Sequence, residues 1–120
     1  MEIRILEMAQ VDYPAHTFPW HVHPDHHTLS LVTGGMALLE FPKASIQTQP
    51  GHLIYIPAGF AHRTVVPTSF SYQVIRFQLP ADYTTPIADY SITRAENKAS
   101  LFQRWFLEQQ EAKTTFGNVP

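Results

Sequence analysis

The chain has 120 residues, of which 44% are hydrophobic and 15% charged, with a net charge of −2 and no cysteine. That balance belongs to a folded globular domain and not to a disordered, strongly charged segment. It provides no basic face for nucleic acid, and it excludes disulfides and thiolate metal sites, so any metal must be held by imidazole or carboxylate. No apolar run approaches the roughly 20 residues needed to cross a bilayer, and the opening MEIRILEM lacks the long apolar segment of a signal peptide. A cytoplasmic domain without a membrane partner is the expectation.

Ten prolines and several glycine-containing turns divide the sequence into short segments rich in β-branched, aromatic and aliphatic residues, the punctuation of an all-β sandwich or barrel. Strands are predicted over Ile3 to Met8, Thr17 to His23, Thr28 to Thr33, Met36 to Phe41, Ala44 to Thr48, His52 to Ile56, His62 to Val66 and Phe70 to Gln78. Gly34-Gly35 can supply the positive φ angles of a tight hairpin between the third and fourth strands, and Pro50-Gly51 marks another turn. From Leu79 to Ile92 the alternation lapses, and Pro80 and Pro86 give this stretch the character of a connecting loop. Thr93 and Glu96 then fit a capping box, which predicts a helix from there to about Lys113. Ala95, Ala99, Phe102, Trp105, Phe106 and Gln109 recur on one face of it. The organisation expected is a barrel over residues 1–93, with a helix and tail over 94–120 belonging to the same domain.

The most informative stretch is His21-Val22-His23-Pro24-Asp25-His26-His27. Residues two apart on a strand project to the same face, so His21 and His23 can converge on one cation. His27 lies just beyond the Pro24-Asp25 turn, and His62 follows the Pro57-Ala58-Gly59 turn that starts another strand. These four imidazoles form the candidate metal site. His16, His26 and His52 are read as structural or solvent-facing histidines outside it.

The same residues resemble the cupin superfamily, whose first motif is G(x)5HxH(x)3–4E(x)6G and whose second is G(x)5PxG(x)2H(x)3N. His21, His23, position 27 and Gly34 fall on the first motif; Gly51, Pro57, Gly59 and His62 fall on the second. Ala15 stands at the leading glycine, His27 at the glutamate and Val66 at the asparagine. The resemblance covers roughly residues 15 to 80. More narrowly, Gly51-His52-Leu53-Ile54-Tyr55-Ile56-Pro57-Ala58-Gly59-Phe60-Ala61-His62 is similar to the turn of the N-terminal effector-binding domain of AraC-type transcriptional regulators. The resemblance implies a small double-stranded β-helix, a jelly-roll-like barrel with a C-terminal helix used for dimerisation. No paired helix-turn-helix region follows within these residues, so contact with DNA is expected only through a further domain.

Trp20, Tyr55, Phe60, Tyr72 and Phe77 are either lining for a ligand cavity or ordinary core, and Phe102, Trp105 and Phe106 either pack the helix on its own barrel or form a homodimer interface. The ligand set suits a divalent transition metal such as zinc, nickel, iron, cobalt or copper. Four protein ligands would close a tetrahedral zinc, whereas an octahedral iron, nickel or cobalt would keep two positions free. Three functions follow: a sensor taking a small-molecule or metal effector, a small metal-dependent dioxygenase or isomerase, or a barrel without chemistry. The sensor is favoured, because the turn and helix resemble the regulator domain. No acid/base pair or nucleophile triad stands out, so no catalytic residue is assigned.

Overall fold

The computed structural model describes residues 3–80, 90–94, 102–104 and 106–108. Among them, the alternating segments form seven strands: β1 (Arg4–Thr17), β2 (His27–Gly35), β3 (Leu38–Phe41), β4 (Ala44–Gln47), β5 (His52–Ile56), β6 (Arg63–Gln78) and β7 (Ser91–Arg94). They make one curled antiparallel sheet in the order β4-β3-β6-β2-β5-β7, with β1 pairing to β6. The long β6 organises the barrel. Its start pairs with β3 (Leu38↔Val65), its later part with β2 (Thr28↔Arg76), and most of its length with β1 (Tyr13↔Phe70). This is the all-β barrel expected from the resemblance.

Several predicted elements differ from those observed, each for a physical reason. The strands predicted over His62 to Val66 and Phe70 to Gln78 are parts of one strand, because Pro67 is accommodated beside a register shift between Pro14 and His16 of β1. β1 continues nine residues past the predicted end at Met8, since the backbone ladder to β6 carries on through Gln10 and Asp12, opposite Gln73 and Ser71. The strand predicted over Thr17 to His23 reduces to an isolated bridge at His21. Gly34-Gly35 ends β2 but closes no hairpin with β3, since β2 pairs with β5 and β6 and β3 with β4 and β6. Gly35 has φ 66°, and a Cβ there would overlap the carbonyl oxygen of Ser69, so the glycine permits a close backbone approach. The capping box is also overturned: Thr93 lies in β7 opposite Leu53, and Ser91 and Ile92 of the predicted loop pair with Tyr55 and Ile54. Glu96 lies outside the described residues.

Two apolar clusters occupy opposite faces of the sheet. Val32, Leu39, Phe41, Ile54, Val66 and Phe70 pack inside the barrel. Leu31 and Ile75 pack on the outside against Phe102 and Phe106, with Leu29, Leu53 and Phe77 around them. The strand period of two explains both: along β2, Thr28, Ser30 and Val32 share one face while His27, Leu29 and Leu31 share the other. Residues 102–104 and 106–108 are helical. Phe102 and Phe106 are buried at 9% and 1% exposure, which is the own-barrel packing, one of the two readings of these residues. Trp105 lies outside the described residues. No helix among those described is long and apolar enough to cross a membrane.

Phe106→Ala should remove the centre of the outer cluster and lower unfolding stability by roughly 3–5 kcal/mol, the usual range for a buried phenylalanine. Chemical denaturation would measure it, and a loss below about 1 kcal/mol would show that the aromatic ring is not packed on the sheet.

Candidate metal centre and cavity

His21 and His62 face each other across a two-hydrogen-bond bridge: the His21 amide donates to the His62 carbonyl at 3.0 Å, and the His62 amide donates to the His21 carbonyl at 3.1 Å. The segment carrying His23 is tied in by the Gly59 amide, which donates to the His23 carbonyl at 2.9 Å. Gly59 has φ 81°, the left-handed conformation that glycine adopts without strain. These backbone contacts bring the three imidazoles together. Their ring centroids are 4.2 Å apart for His21 and His62, 4.7 Å for His21 and His23, and 5.9 Å for His23 and His62. One ring nitrogen from each lies within 4.8 Å of the others.

The ring orientations suit metal binding. His21 Nδ1 is 3.1 Å from the Pro19 carbonyl oxygen, and His62 Nδ1 is 2.9 Å from that of Phe60. A carbonyl oxygen only accepts, so each Nδ1 carries the hydrogen and each Nε2 keeps its lone pair, the outer-shell arrangement that fixes a metal-binding tautomer. Burial, reinforced by the neighbouring His21, His26, His62 and Arg76, holds the His23 pKa down to about 4. Burial also lowers that of His62, against the opposing pull of the Phe60 carbonyl. Neutral imidazoles are what a transition metal requires, so the donor set fits. With three protein donors, even a tetrahedral ion keeps one position open.

His27 stands apart from this group. Its face of β2 is the outer one, where its ring stacks on Tyr55 and Phe77. Its Nδ1 accepts from the Ala58 amide at 3.1 Å and lies 3.0 Å from the Tyr55 hydroxyl. That nitrogen is therefore engaged in holding the turn that delivers His62. The expectation of a fourth imidazole in the cluster is corrected accordingly. The first motif admits three or four residues before its acidic position, and the four-residue count falls on Thr28, which lines the interior. A shift of one residue along a strand exchanges inside for outside.

Next to the triad is a cavity of about 210 Å³ whose lining includes Tyr13, Thr28, Ser30, Ile54, Tyr72 and Arg76. Of the five aromatics considered for this role, Tyr72 is in the lining. Burial raises its phenol pKa, so it stays neutral. Tyr55 and Phe77 are on the outer face with His27. Trp20 is 47% exposed with the Arg63 guanidinium 5.7 Å above its ring, and Phe60 packs against the inner core beside Phe41 and Tyr90. Sequence reasoning missed Tyr13, Thr28, Ser30 and Arg76. The alternation Phe70, Tyr72, Val74, Arg76 along β6 was the available signal for the last of them. Of the remaining histidines, His26 stacks on His23 at 4.6 Å, His16 packs edge-on against Phe18, and His52 Nδ1 accepts from the Gln49 amide in a turn.

Comparison with known proteins agrees with this architecture. The family described as the AraC-like ligand binding domain matches residues 6–111. No curated protein matches the chain. Among solved structures, a cupin-2 domain protein from Shewanella frigidimarina is 22% identical, with 62% of this chain and 78% of that one covered and a TM-score of 0.53. A predicted oxalate decarboxylase from Thermotoga maritima is 13% identical, with coverage of 63% and 69% and a TM-score of 0.56. The bacterial pirin YhhW from Escherichia coli, solved in complex with nickel(II), is 20% identical, with coverage of 76% and 42% and a TM-score of 0.65. At these identities the likeness is one of fold.

The depressed imidazole pKa values set a pH window for stability. His23, His26, His27 and His62 all titrate below the ordinary histidine value of 6.5 when folded. The unfolded chain therefore takes up protons first as pH falls, and stability complete above pH 6.5 declines from there toward pH 4, where folded His23 also protonates. The denaturation midpoint of metal-free protein should drop between pH 7 and pH 5, above the range of ordinary carboxylates. An unchanged midpoint over that interval would contradict the burial of these rings.

Proposed function

We propose that this chain, which belongs to the AraC-like ligand-binding domain family, is the cytoplasmic sensing barrel of a transcriptional regulator, taking a divalent metal and a small effector at the histidine mouth. His21, His23 and His62 would hold the metal, which supplies a Lewis-acidic position for an oxygen donor. Contact with DNA would come through a further domain. A homodimer would use surface other than Phe102 and Phe106, such as the exposed Leu107 on the same helical stretch.

The observation that carries this reading is the two-faced wall formed by β2 and β6. Thr28, Ser30 and Val74 line the cavity on one side, while Leu29, Leu31 and Ile75 hold Phe102 and Phe106 on the other. A single sheet thickness separates an occupant from the helical segment. An occupant that prefers one packing of this wall shifts the helix by its differential affinity, typically about 1–3 kcal/mol of coupling. The open coordination position gives a second reading, a metal-dependent enzyme, some support.

Purified protein should contain close to one late first-row metal per chain by elemental analysis. His21→Ala combined with His62→Ala should abolish it, and His27→Ala should retain most of it because His27 is not one of the three donors. Equal metal content in wild type and the double variant would eliminate the site. Hydrogen exchange at residues 102–108 should slow when the site fills. Exchange indifferent to metal, together with turnover of a small substrate, would replace the sensor with the enzyme.

A further inference from the structure

Arg76 is the one permanently charged residue in the described lining of the cavity, and no carboxylate accompanies it there. Its partner Glu7 sits opposite in the β1–β6 register and meets Arg76 Nη1 at 2.7 Å, with its side chain 51% exposed. A guanidinium offers five N–H donors in a planar fork, so this contact orients the fork and leaves donors to spare. Thr28 pairs with Arg76 across β2 and β6, and the next layer inward is Ser30 beside Val74 and Ile54. The wall thus passes from a cation, through hydroxyls, to aliphatic side chains. The donors that Glu7 leaves free face a recess lined by no carboxylate, which favours an anionic occupant.

We propose that the cavity binds a small organic carboxylate, its carboxyl group received by Arg76 and the Thr28 hydroxyl and its apolar body lying on Ile54 and Val74. This names the chemical class of the effector, and it rests on the reading of the cavity as a ligand site. A bound metal at the triad adds positive charge at the same mouth and reinforces the preference. Glu7 acts as a positioning residue for the guanidinium.

Calorimetric titration of metal-free and zinc-loaded protein with acetate, propionate and benzoate, each beside its neutral amide, tests the assignment. At least one acid should bind roughly tenfold or more tightly than its amide in both forms, and Arg76→Gln should erase that preference in the metal-free protein. Wild-type protein alone gives the acid-to-amide comparison, so the test survives if the variant fails to fold. Amides binding as well as acids would overturn the anionic assignment and leave the ligand-binding reading standing. A preference retained in metal-free Arg76→Gln would overturn the role of Arg76. No binding by either series would overturn both the assignment and the reading beneath it.

Discussion

The backbone bridge between His21 and His62 is the constraint on which the site depends. Each residue gives its amide to the other's carbonyl, so the two imidazoles are placed by main-chain geometry before any side-chain choice is made. The turn over residues 57–60 extends this control: Gly59 ties down His23, Ala58 donates to His27, and the Phe60 carbonyl orients the His62 ring. One short turn therefore fixes two of the three donors and buttresses the strand beside them. Such over-determination is how a binding constellation is kept near its working geometry without a bound ion.

Both sides of β2 and β6 are committed as well. In a half-exposed antiparallel strand one face is free to be polar. Here the inner face lines the cavity and the outer face supports Phe102 and Phe106, so neither strand can shift register without moving apolar groups into water and cavity groups out of place. Close-packed walls respond to strain by moving between discrete arrangements, which suits them to transmitting occupancy. The same property makes the wall costly to mutate on either face.

The barrel, the β5 strand over His52 to Ile56 and the joining of His21, His23 and His62 were legible in the sequence, because alternation and motif spacing are local signals. What was not legible depended on partners distant in the chain. Thr93 has both a hydroxyl for capping and a β-branched side chain for a strand, and pairing with Leu53 decided between them. His27 and Thr28 are adjacent, and the register of β2 against β6 determined which one faced inward. The amphipathic face of Phe102 and Phe106 could be read, but the outer surface of Leu29, Leu31 and Ile75 that covers it could not. Arg76 continues the inward alternation of Phe70, Tyr72 and Val74, and a charged side chain at the end of such a run is ordinarily read as solvent-facing.

The lining beside the three imidazoles holds Thr28 and no carboxylate, and this shapes the electrostatics of the whole mouth. A carboxylate there would offset part of a bound dication's charge, whereas three neutral imidazoles offset none of it. The dication would then face the Arg76 guanidinium across a partly desolvated recess, where like charges repel more strongly than in water. Glu7 sits at the exposed rim, so solvent weakens its compensation. An anion lodged between the metal and the guanidinium interacts favourably with both and relieves their repulsion. By reciprocity, the metal then strengthens anion binding by the same factor as the anion strengthens metal binding. A mouth of this composition would respond most strongly when metal and anion are present together, with the imidazoles setting the metal and Arg76 setting the sign of its companion.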